Sequence, residues 1–196
     1  MRRVALMFLL SIAVAAAADK DKPFASQPAA FYPHHQTQEK VTIAAVPYST
    51  EEQQAEAFGK ARPYKYGILP ILVIVQNDTG KTIRLNLTAK YTGGDARGLE
   101  SMRPSDVVLF DGSSGNWKVP TPRPFPLPQK NKKGPLNTPE IEGRAFNVKL
   151  VPPGESAHGF FYFETQNWPD ARVDLNGIKD AESGRDFFFF EVPVEK

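Results

Sequence analysis

Apolar and polar positions alternate most clearly over residues 83–91, where Ile83, Leu85, Leu87, Ala89 and Tyr91 interleave with Arg84, Asn86, Thr88 and Lys90. That period of two predicts a strand with one buried face. Residues 68–75 are almost continuously apolar and are closed by Asn77-Asp78-Thr79-Gly80, residues that tolerate positive φ or form side-chain turns. The two segments together predict a β-hairpin. Upstream, residues 41–46 read as a strand stopped by Pro47. Ser49-Thr50-Glu51-Glu52 then has the spacing of a capping box from Ser49 to Glu52, and Gly59 stands where a helix would stop, so a short helix is predicted over 50–58.

The second half supplies further strand-length runs at 107–110, 145–151, 159–163, 172–175 and 186–192, each bounded by Gly, Pro, Asn or Asp. About eight short strands with one short helix predict a mainly all-β fold, an immunoglobulin-like antiparallel two-sheet sandwich, in preference to a parallel α/β fold. Successive strand residues face opposite ways, so Phe187 and Phe189 would share one face and Phe188 and Phe190 the other. Both faces then need apolar cover, as do those of 160–163 and 68–75. The 50–58 helix, a Pro-rich loop or another subunit could provide it. Cover from within the chain is the expectation, with Phe188→Ala and Phe189→Ala both destabilising.

Composition adds to this picture mainly by exclusion. Of the 196 residues 41% are hydrophobic and 23% charged, which excludes a wholly disordered chain. Eighteen Pro, fourteen Gly and fourteen Phe argue against a helical bundle. The absence of Cys removes disulfides, thiol nucleophiles, thiolate zinc sites and iron–sulfur ligation together. Residues 119–139 hold Pro120, Pro122, Pro124, Pro126, Pro128, Pro135 and Pro139, and read as a long Pro-rich loop.

Met1-Arg2-Arg3, an apolar run over 4–18 and the small residues Ala15 to Ala18 have the order of a secretory signal peptide. About 15 apolar residues fall short of the roughly 20 that span a bilayer, so cleavage near Ala18 is expected. Residues 19–38 then read as a flexible arm, and 39–196 as a single sandwich domain. The chain carries 24 Lys and Arg against 22 Asp and Glu, and the leader removes Arg2 and Arg3, leaving a balanced mature protein. Its charge therefore gives no reason to expect nucleic acid as a partner. No transmembrane segment is expected after cleavage, and the protein should be periplasmic or secreted.

The stretches 66–78, 135–146, 152–156 with 159–163, and 175–178 with 183–184, which include Tyr66-Gly67-Ile68-Leu69-Pro70, Pro152-Pro153-Gly154-Glu155-Ser156 and Leu175-Asn176-Gly177-Ile178, resemble uncharacterised exported proteins of soil bacteria. The resemblance covers roughly residue 41 to the C-terminus. It implies a bacterial envelope protein with a β-sandwich and brings no catalytic residues with it.

Candidate chemistry is sparse. His34 and His35 are adjacent imidazoles without a fixed third metal ligand, and His158 has no Asp partner identifiable from spacing. Gly112-Ser113-Ser114-Gly115 lacks the spacing of a nucleophile elbow. Arg172-x-Asp174-x-Asn176-Gly177 departs from a calcium loop at its first and twelfth positions, Arg172 and Ser183. Glu140 and Glu142 would share one strand face rather than flank a cleft. Asn77 and Asn86 fall in glycosylation-type triplets but read as turn and strand residues. No catalytic, metal or cofactor site is expected.

The alternation of Pro with other residues favours polyproline II, a preformed shape that aromatic grooves can grip. It makes Pro122, Pro124, Phe125, Pro126, Lys130, Lys132 and Lys133 the candidate partner-binding residues. The function expected is thus a noncatalytic exported binding or scaffold module of the bacterial envelope, with an envelope protein or polysaccharide as partner. The alternative is a carbohydrate-binding module that stacks sugars on exposed Trp117, Trp168 or Tyr residues, and an enzyme ranks third.

Overall fold

A strand that is apolar on both faces can be stable only between two layers, and the run at 68–75 becomes such a strand. In the computed structural model, which describes residues 24–110, 134–187 and 189–194, it is the third of nine strands. In chain order the elements are β1 (His35–Gln38), β2 (Val41–Pro47), α1 (Glu51–Phe58), β3 (Leu69–Asn77), β4 (Ile83–Gly93) and β5 (Ala96–Glu100), followed by α2 (Pro104–Val108), α3 (Pro139–Gly143), β6 (Leu150–Val151), β7 (Ser156–Phe163), β8 (Arg172–Asp180) and β9 (Phe190–Pro193). One sheet has the order β1-β2-β3-β7. The other has β5-β4-β8-β9, with β6 on the first residues of β4. All these pairings are antiparallel. With β2, β3 and β7 as strands A, B and E, and β5, β4, β8 and β9 as C′, C, F and G, the order is that of an immunoglobulin-like sandwich.

Leu69, Ile71, Val73 and Val75 of β3 meet Leu85, Ala89 and Tyr91 of β4 and Val173 and Leu175 of β8 between the sheets. The alternate residues Leu72 and Ile74, with Phe160 and Tyr162 of β7, point the other way. There they are covered by Ala57 and Phe58 of α1, Val107 of α2, Ile141 of α3 and Leu136. The ring of Phe58 lies 4.7 Å from that of Phe160. Tyr162 donates a buried hydrogen bond of 2.8 Å to the Ile141 carbonyl, and Arg144 donates to the terminal α1 carbonyls of Glu56 and Ala57. Cover thus comes from within the chain. The second sheet needs none outside: Arg84, Thr88, Lys90, Arg172 and Asn176 are exposed on its outer face.

Several expectations are corrected by the geometry. β3 and β4 are not a hairpin, because β3 already has β2 and β7 as its two neighbours, so the chain crosses to the other sheet. The crossing turns on Asn77, which is fully buried. Its side-chain amide donates to the carbonyls of Lys81 at 2.7 Å and Val151 at 2.8 Å, and its Oδ1 accepts from the Thr79 amide at 3.1 Å and hydroxyl at 2.7 Å. The capping box falls one residue later than the Ser49 spacing suggests: Thr50 Oγ1 accepts from the Gln53 amide, and Gln53 Oε1 from that of Thr50.

Residues 104–108 form a helical turn rather than a strand at 107–110, since Pro104 starts the turn, Asp106 pairs with Arg103 at 3.0 Å, and Val107 enters the outer core. Of 145–151 only Leu150–Val151 is a strand. Ala145 instead bridges Phe160, and the chain passes so close to Gly159 that a Cβ there would lie 2.4 Å from Phe146 Cα. Pro139, assigned to the Pro-rich loop, opens α3, which carries Glu140 and Glu142 on a helical turn instead of a strand. The arm expected over 19–38 joins the fold from Phe24 onward: Phe24 packs on the outer core, Ala29 is buried, and β1 pairs with β2.

The aromatic run at 186–192 contributes only Phe190–Pro193 as strand. Asp186 bridges Lys179 of β8 and pairs with it at 3.1 Å, the Phe187 amide donates to the Ile178 carbonyl at 2.9 Å, and Phe189 is 55% exposed whereas Phe190 is fully buried. Phe188 lies outside the described residues. Equal losses from the two faces are therefore not expected. Phe190→Ala should cost about 3–5 kcal/mol and Phe189→Ala stay within about 0.5 kcal/mol, as denaturant melts will read. In the same assay Asn77→Ala should cost about 3 kcal/mol, because it strands buried carbonyls as well as losing its own bonds. Asn77→Asp should be at least as damaging at neutral pH, since a carboxylate would face those two carbonyls.

Candidate binding face

At the end of the sandwich where β4 finishes and β8 begins, a turn and a loop are brought unusually close. Gly93 is buried, and a Cβ there would come within 2.7 Å of Ala171 Cβ and 2.9 Å of the Tyr91 hydroxyl. Gly94 has φ +56°, and a Cβ there would lie 2.5, 2.6 and 2.7 Å from Cδ2, Cε2 and Cγ of Trp168. Three nearly equal distances to adjacent ring atoms place Gly94 over the face of the indole. Only the lack of side chains at Gly93 and Gly94 allows the β7–β8 loop to settle on the β4–β5 turn.

Two tyrosine hydroxyls hold that loop. Tyr91 donates to the Gln166 carbonyl at 3.0 Å and accepts from the Trp168 amide at 3.2 Å. Tyr64, in the 3-10 turn Pro63–Tyr66, accepts from the Asn167 amide at 3.2 Å. Burial pushes the Tyr91 hydroxyl above the usual tyrosine range, with the Trp168 amide opposing, so it stays protonated as the donor to Gln166. Asn167 keeps both side-chain amide atoms buried without a protein partner. Trp168 itself remains 41% exposed, with Gln166 and Asp170 exposed two residues either side of it and Asp95 exposed next to Gly94.

Two clefts lie elsewhere. One, of about 400 Å³, is at the opposite end and is lined by Glu39, Lys40, Lys81, Asp180, Arg185 and Phe187. Its charges are largely paired, Arg185 with Glu39 at 2.5 Å and Lys81 with Asp180 at 3.7 Å. Amides of Glu182 and Ser183 bond Asp180, and its carboxyl is held below the usual carboxylate range. The other, of about 320 Å³, is lined by Phe24, Arg144, Asn147 and His158. There the Arg144 guanidinium sits 5.1 Å over the Phe24 ring, and the His158 ring meets Phe24 edge-on at 5.8 Å.

The remaining candidates are dispersed. His35 Nδ1 lies 2.7 Å from the Tyr32 carbonyl on β1, beside a half-buried His34. Among the described residues no group of three His, Cys, Asp or Glu is placed to hold a metal. Arg172, Asp174 and Asn176 alternate along β8 instead of wrapping a loop. Burial raises the Asp174 carboxyl despite its 3.6 Å pairing with Arg172. Pro122, Pro124, Phe125, Pro126, Lys130, Lys132 and Lys133, with Trp117 and the 112–115 glycine-serine turn, lie outside the described residues. Of the Trp and Tyr residues named from sequence for sugar stacking, Trp168 is the exposed one among the described residues. Its supports, Tyr64, Tyr91, Gly93 and Gly94, carried no chemical signature, though a Gly-Gly pair at the end of the clearest strand was a sign of close backbone approach.

No family model, no curated protein and no solved structure matches this chain. Among the described residues no helix is long and apolar enough to cross a membrane.

The tyrosines set a pH limit. Tyr91, Tyr48 and Tyr162 are all raised, each chiefly by burial, while unfolded tyrosine ionises near about 10. The folded chain then binds more protons than the unfolded one above that value. Stability should be unaffected by these groups below about pH 10 and fall progressively above it. Tyr91→Phe should remove part of that alkaline loss and cost about 1–2 kcal/mol at neutral pH by freeing the Gln166 carbonyl and Trp168 amide. Denaturant melts across the pH range, with near-ultraviolet circular dichroism of the indole, will read both effects.

Proposed function

We propose that this chain is a noncatalytic exported module of the bacterial cell envelope, and that it binds another envelope component through the face built around Trp168. The supporting observation is an exposed indole held in place by both its seat and its loop. Single exposed apolar residues are ordinary on soluble proteins. Trp168 differs because two tyrosine hydroxyls and a glycine pair position the loop that carries it. Leaving about 100 Å² of aromatic surface in water forgoes roughly 2–3 kcal/mol of burial. Rigid aromatics displayed in this way lose little conformational entropy on binding, which suits them to recognition. The export part of the reading rests on the basic, apolar and small-residue order of positions 1–18 and on the resemblance to exported proteins of soil bacteria.

The test is to recover the protein from envelope extract, sequence its N-terminus and compare what the wild type and Trp168→Ala retain. An N-terminus near Asp19 and retention lost on substitution are expected. A retained Met1 refutes export with cleavage, and equal retention by both proteins removes Trp168 from the binding face.

A further inference from the structure

We propose that the ligand of this face is a saccharide, with the outer face of the Trp168 indole as a stacking platform for a pyranose ring. This rests on the reading of Trp168 as the binding face and goes beyond it by naming the ligand's chemistry. The position of Gly94 against Cγ, Cδ2 and Cε2 occupies one face of the ring. Trp168 is 41% exposed, and we take the open surface to be the face turned away from Gly94, where a flat partner can stack. A pyranose offers such a partner: its axial C–H bonds, polarised by the ring oxygens, form an apolar face complementary to the negative face of the indole.

The surroundings suit the same ligand. Asp95 follows Gly94 directly, and Gln166 and Asp170 lie two residues either side of Trp168; all three are exposed. Close in the chain to Gly94 and Trp168, they offer carboxylate acceptors and an amide to the hydroxyls of a stacked ring. Asp170 is held at φ +57° beside the loop's end. The loop's bonds to Tyr64 and Tyr91 fix the platform before a ligand arrives, so little ordering opposes binding. A cation is the competing ligand for an indole near two carboxylates. Its attraction becomes substantial only when the site is desolvated, and an open single-faced platform leaves it hydrated. An extended ligand that crosses the edge of the domain suits this geometry better than a small molecule needing a pocket.

The mature protein would be titrated with hexasaccharides of β-linked glucose, α-linked glucose and β-linked N-acetylglucosamine, and separately with tetramethylammonium. The signal followed is the Trp168 indole N–H by NMR, assigned with Trp168→Phe. At least one hexasaccharide should shift it saturably, with a dissociation constant of about 1 mM or tighter. Trp168→Ala should weaken binding at least about tenfold with its thermal melt kept, and Trp168→Phe should retain most of it. Gly94→Ala should also weaken binding, by lifting the indole from its seat. Absence of any saturable shift with all three sugars overturns the saccharide assignment, as does a shift with tetramethylammonium alone. Should the sugars fail while Trp168-dependent envelope retention persists and is abolished by protease, the ligand is a protein and the binding-module reading stands. If retention is independent of Trp168 and no sugar binds, both readings fall.

Discussion

Every residue of β3 from Leu69 to Val75 is essentially without solvent contact, and that single constraint organises the chain around it. A strand buried on both faces must be flanked by two layers and bordered by a strand on each edge. The second sheet covers one face, and α1, α2, α3 and the segment from Phe24 to Ala29 cover the other. β2 and β7 occupy the edges. With no cysteine to cross-link it, the domain depends on these two apolar layers and on hydrogen bonds that satisfy the backbone where the chain leaves them.

Those hydrogen bonds are concentrated at the two ends of the sandwich and serve different purposes. At the end of β3, Asn77 substitutes for strand pairing by giving its amide to two carbonyls and its oxygen to Thr79, so the chain can change sheets without stranding polar groups in the core. At the other end, Tyr91 sends its hydroxyl through the edge of the core to a loop that displays an indole. The first arrangement is absorbed into stability. The second holds an apolar ring at the surface, which makes it the place to look for recognition.

Local pattern succeeded where one neighbouring interaction dominates. The alternation of 83–91, the continuous run of 68–75 and the Gly59 stop of α1 all appear in the fold. It failed where distant contacts decided. Val107-Val108-Leu109-Phe110 is apolar enough for a strand, yet its short turn docks as a helix with Leu109 exposed. The run Phe187 to Phe190 has uniform chemistry, yet Phe189 is exposed while Phe190, paired with Leu175 of β8, is fully buried. Trp168 was visible as a candidate, whereas the hydroxyls that hold its loop come from Tyr91, 77 positions from Trp168, and Tyr64, 103 positions from Asn167.

The sequence by itself determined that this is a β-rich domain with two-faced central strands and one capped helix, because alternation, turn residues and caps act over a few positions and are written in order along the chain. It also determined the need for a second covering layer, since an aliphatic run on a pleated strand has no other way to leave water. Only the tertiary structure decided which sheet β4 joined, which apolar runs became helical turns, and that Gly93 and Gly94 would receive the loop of Trp168. Those outcomes depend on which edge, face or backbone is already occupied when the segment arrives. Occupancy is a property of the packed whole that no local pattern contains.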